Sequence, residues 1–341
     1  MGKEEFFLTM IPFMMYFWEI PVGLVYSFLI ATALYFANIL KELFADGRPL
    51  WLAGNNLKNG KIACHPGYGQ PSGHSLDSLN LLFFPLIMFV VMHKRVNPCL
   101  KALGYIFFSV LVGLVSWSRA VVAAHFPYQI ALGISFGLLN MPVSLYLLAV
   151  LWETIRGFNI CEQTIAASVI LIFGSFIAIG SNPDEPQNFN LWVENAKICS
   201  PNAWPDLYGS MYVALIGAGM LATYPFILCY HQTHKLQPPQ HWPVLAVRCA
   251  MFVCFMCSIT SVWVIGKICK KLVKVDGRDW KTVVQFQIVG IVGWTVLGLF
   301  LPMLFCRLGL LQPEKSSDQN QKPDEVDQKP DEVDRDMNIM V

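Results

Sequence analysis

Apolar runs long enough to cross a bilayer recur along almost the whole chain. The first extends from Phe6 to about Leu40, too long for one helix of roughly 20 residues. Glu19-Ile20-Pro21 is its natural break, so it reads as two short spans joined by a tight turn. Further runs fall near 77–92, 102–117, 128–151, 164–180, 207–229, 244–266 and 283–305, which brings the count to nine. Backbone groups in lipid have no water to bond with and must be satisfied within the segment, so these runs are expected to be helices. The expected fold is therefore all-α, a polytopic membrane helix bundle of about nine transmembrane helices. Composition agrees: 14% of residues are charged, against about 25% in soluble domains. The net charge of +1 comes with no basic helix or stacking motif, so the lipid bilayer is an expected partner and nucleic acid is not.

The polar stretches between the runs are 42–76, 93–101, 118–127, 152–163, 181–206, 230–243 and 267–282. Residues 1–310 read as one membrane-embedded domain. After it the composition changes abruptly, and the acidic near-repeat from Lys322 to Asp334 marks 311–341 as a disordered tail, expected in the cytosol. No cleavable leader is expected, because the first run has no small-residue cleavage site followed by a soluble region. Cys254 and Cys257 form a lone CxxC inside a span, read as packing and not as a zinc or redox site. Cys64 and Cys199 are free to pair if they share an oxidising compartment. Charge does not settle the orientation. Lys94, Arg95, Lys101 and Arg156 favour a cytosolic face for their loops, while the loop at 267–282 carries six basic residues on the opposite side.

Three polar clusters stand out. The first runs from Lys41 to Arg48-Pro49, the second is Gly69-Gln-Pro-Ser72-Gly73-His74, and the third is Ser118-Arg119 followed by His125. Two spans separate the second from the third, and two crossings return the chain to the same face, so all three can meet at one membrane surface. The set suits phosphoryl transfer from a monoester, which needs cations on the equatorial oxygens, an in-line nucleophile and an acid opposite. Arg48 and Arg119 offer planar forks that match phosphate, and Lys41 adds a point charge. Lys41 and Arg48 are seven residues apart, two turns and hence one face if the helix continues. Ser72 and the Gly73 amide, at a helix start, can donate to phosphate oxygens. His74 and His125 are left as nucleophile and acid. A nucleophilic imidazole must be neutral, and neighbouring cations favour that form. No metal or cofactor is called for.

In order, K-x6-R-P, P-S-G-H and S-R-x5-H resemble the tripartite motif of the type-2 phosphatidic acid phosphatase and vanadium haloperoxidase superfamily. Within it the likeness is to the glucose-6-phosphatase family. It is carried by Gly47-Arg48-Pro49-Leu-Trp51, by Cys64 shortly before Gly67-Tyr-Gly69-Gln-Pro71-Ser-Gly-His74, and by Ser118-Arg119 through Gln129. Trp192-Val-Glu-Asn-Ala-Lys-Ile-Cys199 and Trp204 look like that family's second large lumenal loop. The resemblance implies that His125 is the nucleophile that becomes phosphorylated and that His74 protonates the leaving oxygen. It implies that Lys41, Arg48 and Arg119 hold the phosphate, and that a sugar phosphate such as glucose 6-phosphate is cleaved in the endoplasmic reticulum membrane with the site facing the lumen. A sugar-phosphate transporter that supplies lumenal substrate is a further partner of such an enzyme. The superfamily pattern has an Asp four residues after the nucleophile; here that position is Gln129, a departure shared with glucose-6-phosphatases. The group that orients the His125 ring is open between a backbone carbonyl and Asp206. Three other departures concern compartment: the chain begins almost at its first span, has no Asn-x-Ser/Thr acceptor and ends without a dilysine signal.

Plainer readings stand beside these. Basic residues at span ends often snorkel to headgroups, a weak explanation when three coincide with two histidines. His65 reads as an ordinary loop residue, and His231, His234 and His241 as a solvated His-rich loop. Trp51, Trp192 and Trp204 read as an interface belt. Asp77 and Asn80, polar at membrane depth, either line a cavity or bond within the bundle. The basic loop at 267–282 either attracts anionic substrate or is a plain interfacial cluster. A lipid phosphate phosphatase is the alternative enzyme, and a transporter or non-catalytic binding protein the alternative of another class. Against a transporter, the polar residues gather at one surface and not at the midplane, without paired broken helices.

Overall fold

A computed structural model describes residues 10–11, 13–15, 20–53, 64–65, 67–93, 95–181, 187–197, 199, 205, 207–234, 236–237, 248–253 and 280–313. Its helices, in chain order, are α1 (Ile20–Phe44), α2 (Pro49–Ala53), α3 (Gly73–Met92), α4 (Pro98–Val121), α5 (Pro127–Thr154), α6 (Ile160–Gly180), α7 (Phe189–Ala196), α8 (Gly209–Ala222), α9 (Tyr224–His234) and α10 (Trp280–Thr295). A π-helical turn, Val296–Phe300, joins α10 to α11 (Leu301–Arg307), and two-residue strands at Leu236–Gln237 and Gln312–Pro313 pair antiparallel.

Seven helical stretches among the described residues are long and apolar enough to cross a membrane. They match the second to seventh and the ninth of the expected spans. The expected first span is described only in part, and the eighth, near 244–266, lies mostly outside the described residues. So do the Cys254/Cys257 pair, the tail beyond 313, and the basic loop up to residue 279. The protein is a membrane helix bundle. Helices α4 and α6 show it best, because Ile106, Leu114, Ile172 and Phe176 point outward as bare hydrocarbon, which lipid accepts and water does not.

Helix α1 is the axis of the bundle. Its 25 residues rise about 38 Å at 1.5 Å each, and most of its side chains are buried against α3, α5 and α8. Between helices the contacts are those of a lipid-solvated protein, small residues and hydroxyl bonds. Thr32 Oγ1 and Ser144 Oγ lie 2.6 Å apart, Ser27 Oγ and the Tyr224 hydroxyl 2.8 Å apart, and the Tyr35 hydroxyl donates to the Gly174 carbonyl at 2.9 Å. At the α8–α10 crossing a Cβ on Gly219 would sit 2.6 Å from the Gln287 carbonyl, so only glycine permits that approach. Buried Glu42 accepts from the Met211 amide at 2.9 Å and so caps the start of α8, where an orphan N–H and the helix dipole favour an anion.

Two expectations change. His231 and His234 do not lie in a solvated loop, because α9 runs on to His234. His231 is buried with Nε2 3.3 Å from the Gly298 carbonyl, and His234 packs on the Tyr230 ring. Nor do Trp51 and Trp192 form an interface belt. They are 1% and 4% exposed and pack with ring centres 5.2 Å apart, tilted to each other, with Tyr68 beside them. Helices α2 and α7 pack on each other here, Asn195 donates to the Trp51 carbonyl at 2.8 Å, and a Cys64–Cys199 disulfide ties the two loops together. The aromatics are the core of a small cap outside the bundle. Trp204 and His241 lie outside the described residues.

Candidate active site

Under that cap the ends of four long helices meet: the last turn of α1, the first of α3, the last of α4 and the first of α5. Lys41 lies in the last turn of α1. The helix does not continue to Arg48. It stops at Phe44, Ala45 takes a left-handed φ of 44° just past its end, and Pro49 opens α2. The two cations therefore do not share a helix face, yet both act on His125.

Arg48 is buried and its fork is well used. Nε donates to the Gly67 carbonyl at 2.5 Å, Nη2 to Tyr68 at 3.1 Å and Nη1 to Ala124 at 3.0 Å. Nη1 also lies 3.4 Å from His125 Nε2. One guanidinium thus binds the loop before α3 to the loop before α5, two segments nearly sixty residues apart in sequence.

His125 sits where α4 turns into α5, with Ala123 at a φ of 51° and the amides of Ala124 and His125 both donating to the Arg119 carbonyl. Its Nδ1 lies 2.7 Å from the Gly69 carbonyl. A carbonyl only accepts, so the ring proton is on Nδ1 and Nε2 carries the lone pair. Of the two orienting groups the sequence left open, a backbone carbonyl holds the ring; Asp206 lies outside the described residues. Burial, then the charges of Arg48 and Lys41, push the His125 pKa down to about 2, against a small opposing pull from the Gly69 bond. Both effects favour the neutral imidazole, whose Nε2 lone pair faces Arg48 Nη1.

Gln129 supports this arrangement from behind. Its Nε2 donates to the Gly47 carbonyl at 2.9 Å and to Asp46 Oδ2 at 2.8 Å, while its Oε1 accepts from the Phe126 amide at 3.1 Å. Tyr128 donates to the same Asp46 oxygen at 2.6 Å. The Gly69 amide donates to the Asp46 carbonyl at 2.8 Å, and the Ser72 amide to the Gln129 carbonyl at 3.0 Å. Gln129 thus locks the strip that holds Gly69, and Gly69 in turn holds the histidine.

Ser72 precedes α3 and is wholly buried. Its hydroxyl accepts from Ser75 at 3.1 Å, which leaves its own proton to donate. A Cβ on Gly133 would sit 2.5 Å from the Ser72 carbonyl, so the bare face of α5 lets this turn settle against it. Lys41 Nζ comes within 3.5 Å of where a Gly73 Cβ would be, placing a cation at the positive end of α3. His74 is partly exposed next to it, near enough to His125 to act on its charge. Arg119, in the last turn of α4, has Nε 3.4 Å from Ser118 Oγ.

One residue of this group reads from the sequence as an ordinary loop position. The His65 ring lies 6.2 Å from that of His74. Burial, and then the charges of Arg48, His74, Arg119 and Lys41, bring its pKa down to about 4. Its place next to Cys64 was the available signal, since the disulfide pins this part of the loop against the cap.

A pH effect follows from the two depressed imidazoles. The unfolded chain takes up protons at His65 and His125 near pH 6.5, whereas the folded protein resists until about 4 and about 2. Between these values the unfolded state binds more protons, so stability falls as pH drops below 6.5. The thermal midpoint of detergent-solubilised protein is expected to be lower at pH 5 than at pH 7.5, with a shallower slope in His65→Gln. A midpoint independent of pH contradicts the buried neutral histidines.

Residues 22–153, which hold every residue of this cluster, match the profile described as the PAP2 superfamily. The likeness is to the PAP2 superfamily. Glucose-6-phosphatase catalytic subunit 1 of Haplochromis nubilus is 30% identical over 117 residues, covering 30% of this chain and 33% of that protein. The protein of the same name from Haplochromis xenognathus is 33% identical over 90 residues, covering 25% of this chain and 32% of its own length. The chain thus spans about a third of the length of the curated relatives it matches. No solved structure matches it. The matched stretch runs from within α1 to the end of α5, and helix α7 of the cap stands outside it.

Proposed function

We propose that this protein is a membrane phosphohydrolase that cleaves phosphomonoesters through a phosphohistidine at His125, with a sugar phosphate, glucose 6-phosphate or a close relative, as substrate. The observation that carries the proposal is the fixed tautomer of His125. Its Nδ1–H is held by the Gly69 carbonyl, and the bare Nε2 is turned toward the Arg48 guanidinium, where a phosphate would be drawn. Lys41, Arg48 and Arg119, with the Ser72 hydroxyl and the Gly73 amide, would carry the equatorial oxygens. Nε2 attacks phosphorus as the ester P–O bond breaks, and His74 gives the leaving alkoxide its proton. Water then attacks the phosphorus, the P–N bond breaks, and His74 takes the water proton. The products are the alcohol and inorganic phosphate.

The sugar end of the proposal draws on the names of the relatives. A lumenal site in the endoplasmic reticulum is supported by the Cys64–Cys199 disulfide on the same side, since such bonds persist in oxidising compartments. On this reading a sugar-phosphate transporter delivers substrate to the lumen. The test is phosphate release by the solubilised protein, with glucose 6-phosphate, mannose 6-phosphate, phosphatidic acid and sphingosine 1-phosphate offered side by side. Preference for the sugar phosphates is expected. Activity confined to the lipids keeps the chemistry and replaces the substrate, and silence on all four sinks the proposal.

A further inference from the structure

The proposed chemistry leaves one charged residue of the cradle unused. Gly73, Asp77, Asn80 and Phe84 lie at i, i+4, i+7 and i+11 of α3, one face of the helix. That face is turned toward α1: at its start Lys41 Nζ approaches Gly73, and at its far end the Phe84 ring lies 5.6 Å from Tyr26. Asp77 Oδ2 comes within 3.9 Å of the position a Gly73 Cβ would take, the point that Lys41 Nζ reaches at 3.5 Å. Like Lys41 and His74, Asp77 is partly exposed, so its carboxylate shares their space, one turn deeper in the bundle. A carboxyl group there suits the uncharged part of a substrate, because its oxygens accept the hydrogen bonds that hydroxyls donate.

A second observation points the same way. Asn80 is 0% exposed, and neither its amide nitrogen nor its oxygen has a hydrogen-bond partner among the described residues. The Tyr26 hydroxyl, on α1 and within electrostatic reach of Asp77, is also buried and unpartnered among the described residues. Buried polar groups are nearly always paired, and those that are not call for a ligand or another reason. We propose that Asp77, with Asn80 behind it, receives the hydroxyl groups of the leaving alcohol. These two residues then set the preference for a polyhydroxylated leaving group, because an acyl-chain alcohol would leave them unpaired. The inference rests on the sugar-phosphate phosphohydrolase proposed above and names specificity-determining residues of that same site.

The experiment uses the full-length protein in detergent and compares kcat/KM for glucose 6-phosphate with that for p-nitrophenyl phosphate, whose leaving group has no further hydroxyls. Asp77→Leu, Asp77→Asn and Asn80→Ala are assayed beside the unaltered protein, together with the inhibition constant of inorganic phosphate. The ratio of the two kcat/KM values is expected to fall by about 30-fold or more in Asp77→Leu and by about tenfold in Asn80→Ala. Inhibition by phosphate should change little in Asp77→Leu, since the proposed contact is to the leaving alcohol and not to the phosphate. The near-isosteric Asp77→Asn covers the case in which the leucine variant fails to fold; it should lower the ratio in the same direction. Equal losses on both substrates, or markedly weaker inhibition by phosphate, would show that Asp77 serves to hold Lys41 and would overturn the inference. Failure of the phosphohydrolase proposal shows itself separately, in the unaltered protein, as an absence of hydrolysis of either ester.

Discussion

His125→Ala releases phosphate from every substrate at least about 10,000-fold more slowly than the unaltered protein, the scale expected when a nucleophile that works as part of a unit is removed. The fold should survive the change. The ring spans a small space between Arg48 and Gly69, and leaving the one buried Gly69 carbonyl without that donor costs about 1–3 kcal/mol. The decisive measurement is covalent. Exposure to 32P-labelled substrate followed by an alkaline quench, which preserves a phosphoramidate, should label the unaltered protein and leave His125→Ala blank. His74→Ala gives a complementary pattern: its loss should be smaller on p-nitrophenyl phosphate, whose leaving group departs without a proton, than on a sugar phosphate. Label retained in His125→Ala would sink the assignment of the nucleophile, whatever the substrate proves to be.

Arg48→Lys, which keeps the charge, is expected to be nearly as damaging, and for a second reason. Three carbonyls, of Gly67, Tyr68 and Ala124, take their hydrogen bonds from one planar fork. An ammonium on a shorter stem cannot span them. Each carbonyl left without a donor costs about 1–3 kcal/mol when buried, so the substitution should destabilise the site by several kcal/mol. The thermal midpoint in detergent should fall by about 5–10 °C, with activity down by more than about a hundredfold. A midpoint equal to that of the unaltered protein, with activity lost, would mean that Arg48 serves the phosphate alone and does not hold the two loops together.

Much of this molecule is legible in its sequence. Apolar runs near 20 residues report directly on helices in lipid, because hydrocarbon tolerates only segments that satisfy their own backbone. Spans matching seven of the runs appear where they were read, most of them a turn or so longer. Span counting alone also places the three clusters on one face, since every crossing reverses the side. The helix ends are less legible. Lys41 and Arg48 have a helical spacing, but Pro49 and the left-handed Ala45 end α1 between them. The tryptophans mislead for a related reason. An indole suits either a headgroup belt or a small core, and only the packing of Trp51 on Trp192, under the disulfide, decides.

What the sequence determined by itself is the set of chemical types and that they share one side of the membrane. Both depend on residue identity and the parity of crossings, which are local or countable properties. What only the tertiary structure decided is which groups face each other. The Gly69 carbonyl orients His125, Gln129 holds Gly69 through Asp46 and Gly47, and His65 joins His74. Asp77 comes to lie beside Lys41 in the same way. These contacts join segments tens of residues apart, and a backbone carbonyl has no signature in the sequence. Their geometry exists only once the helices have packed.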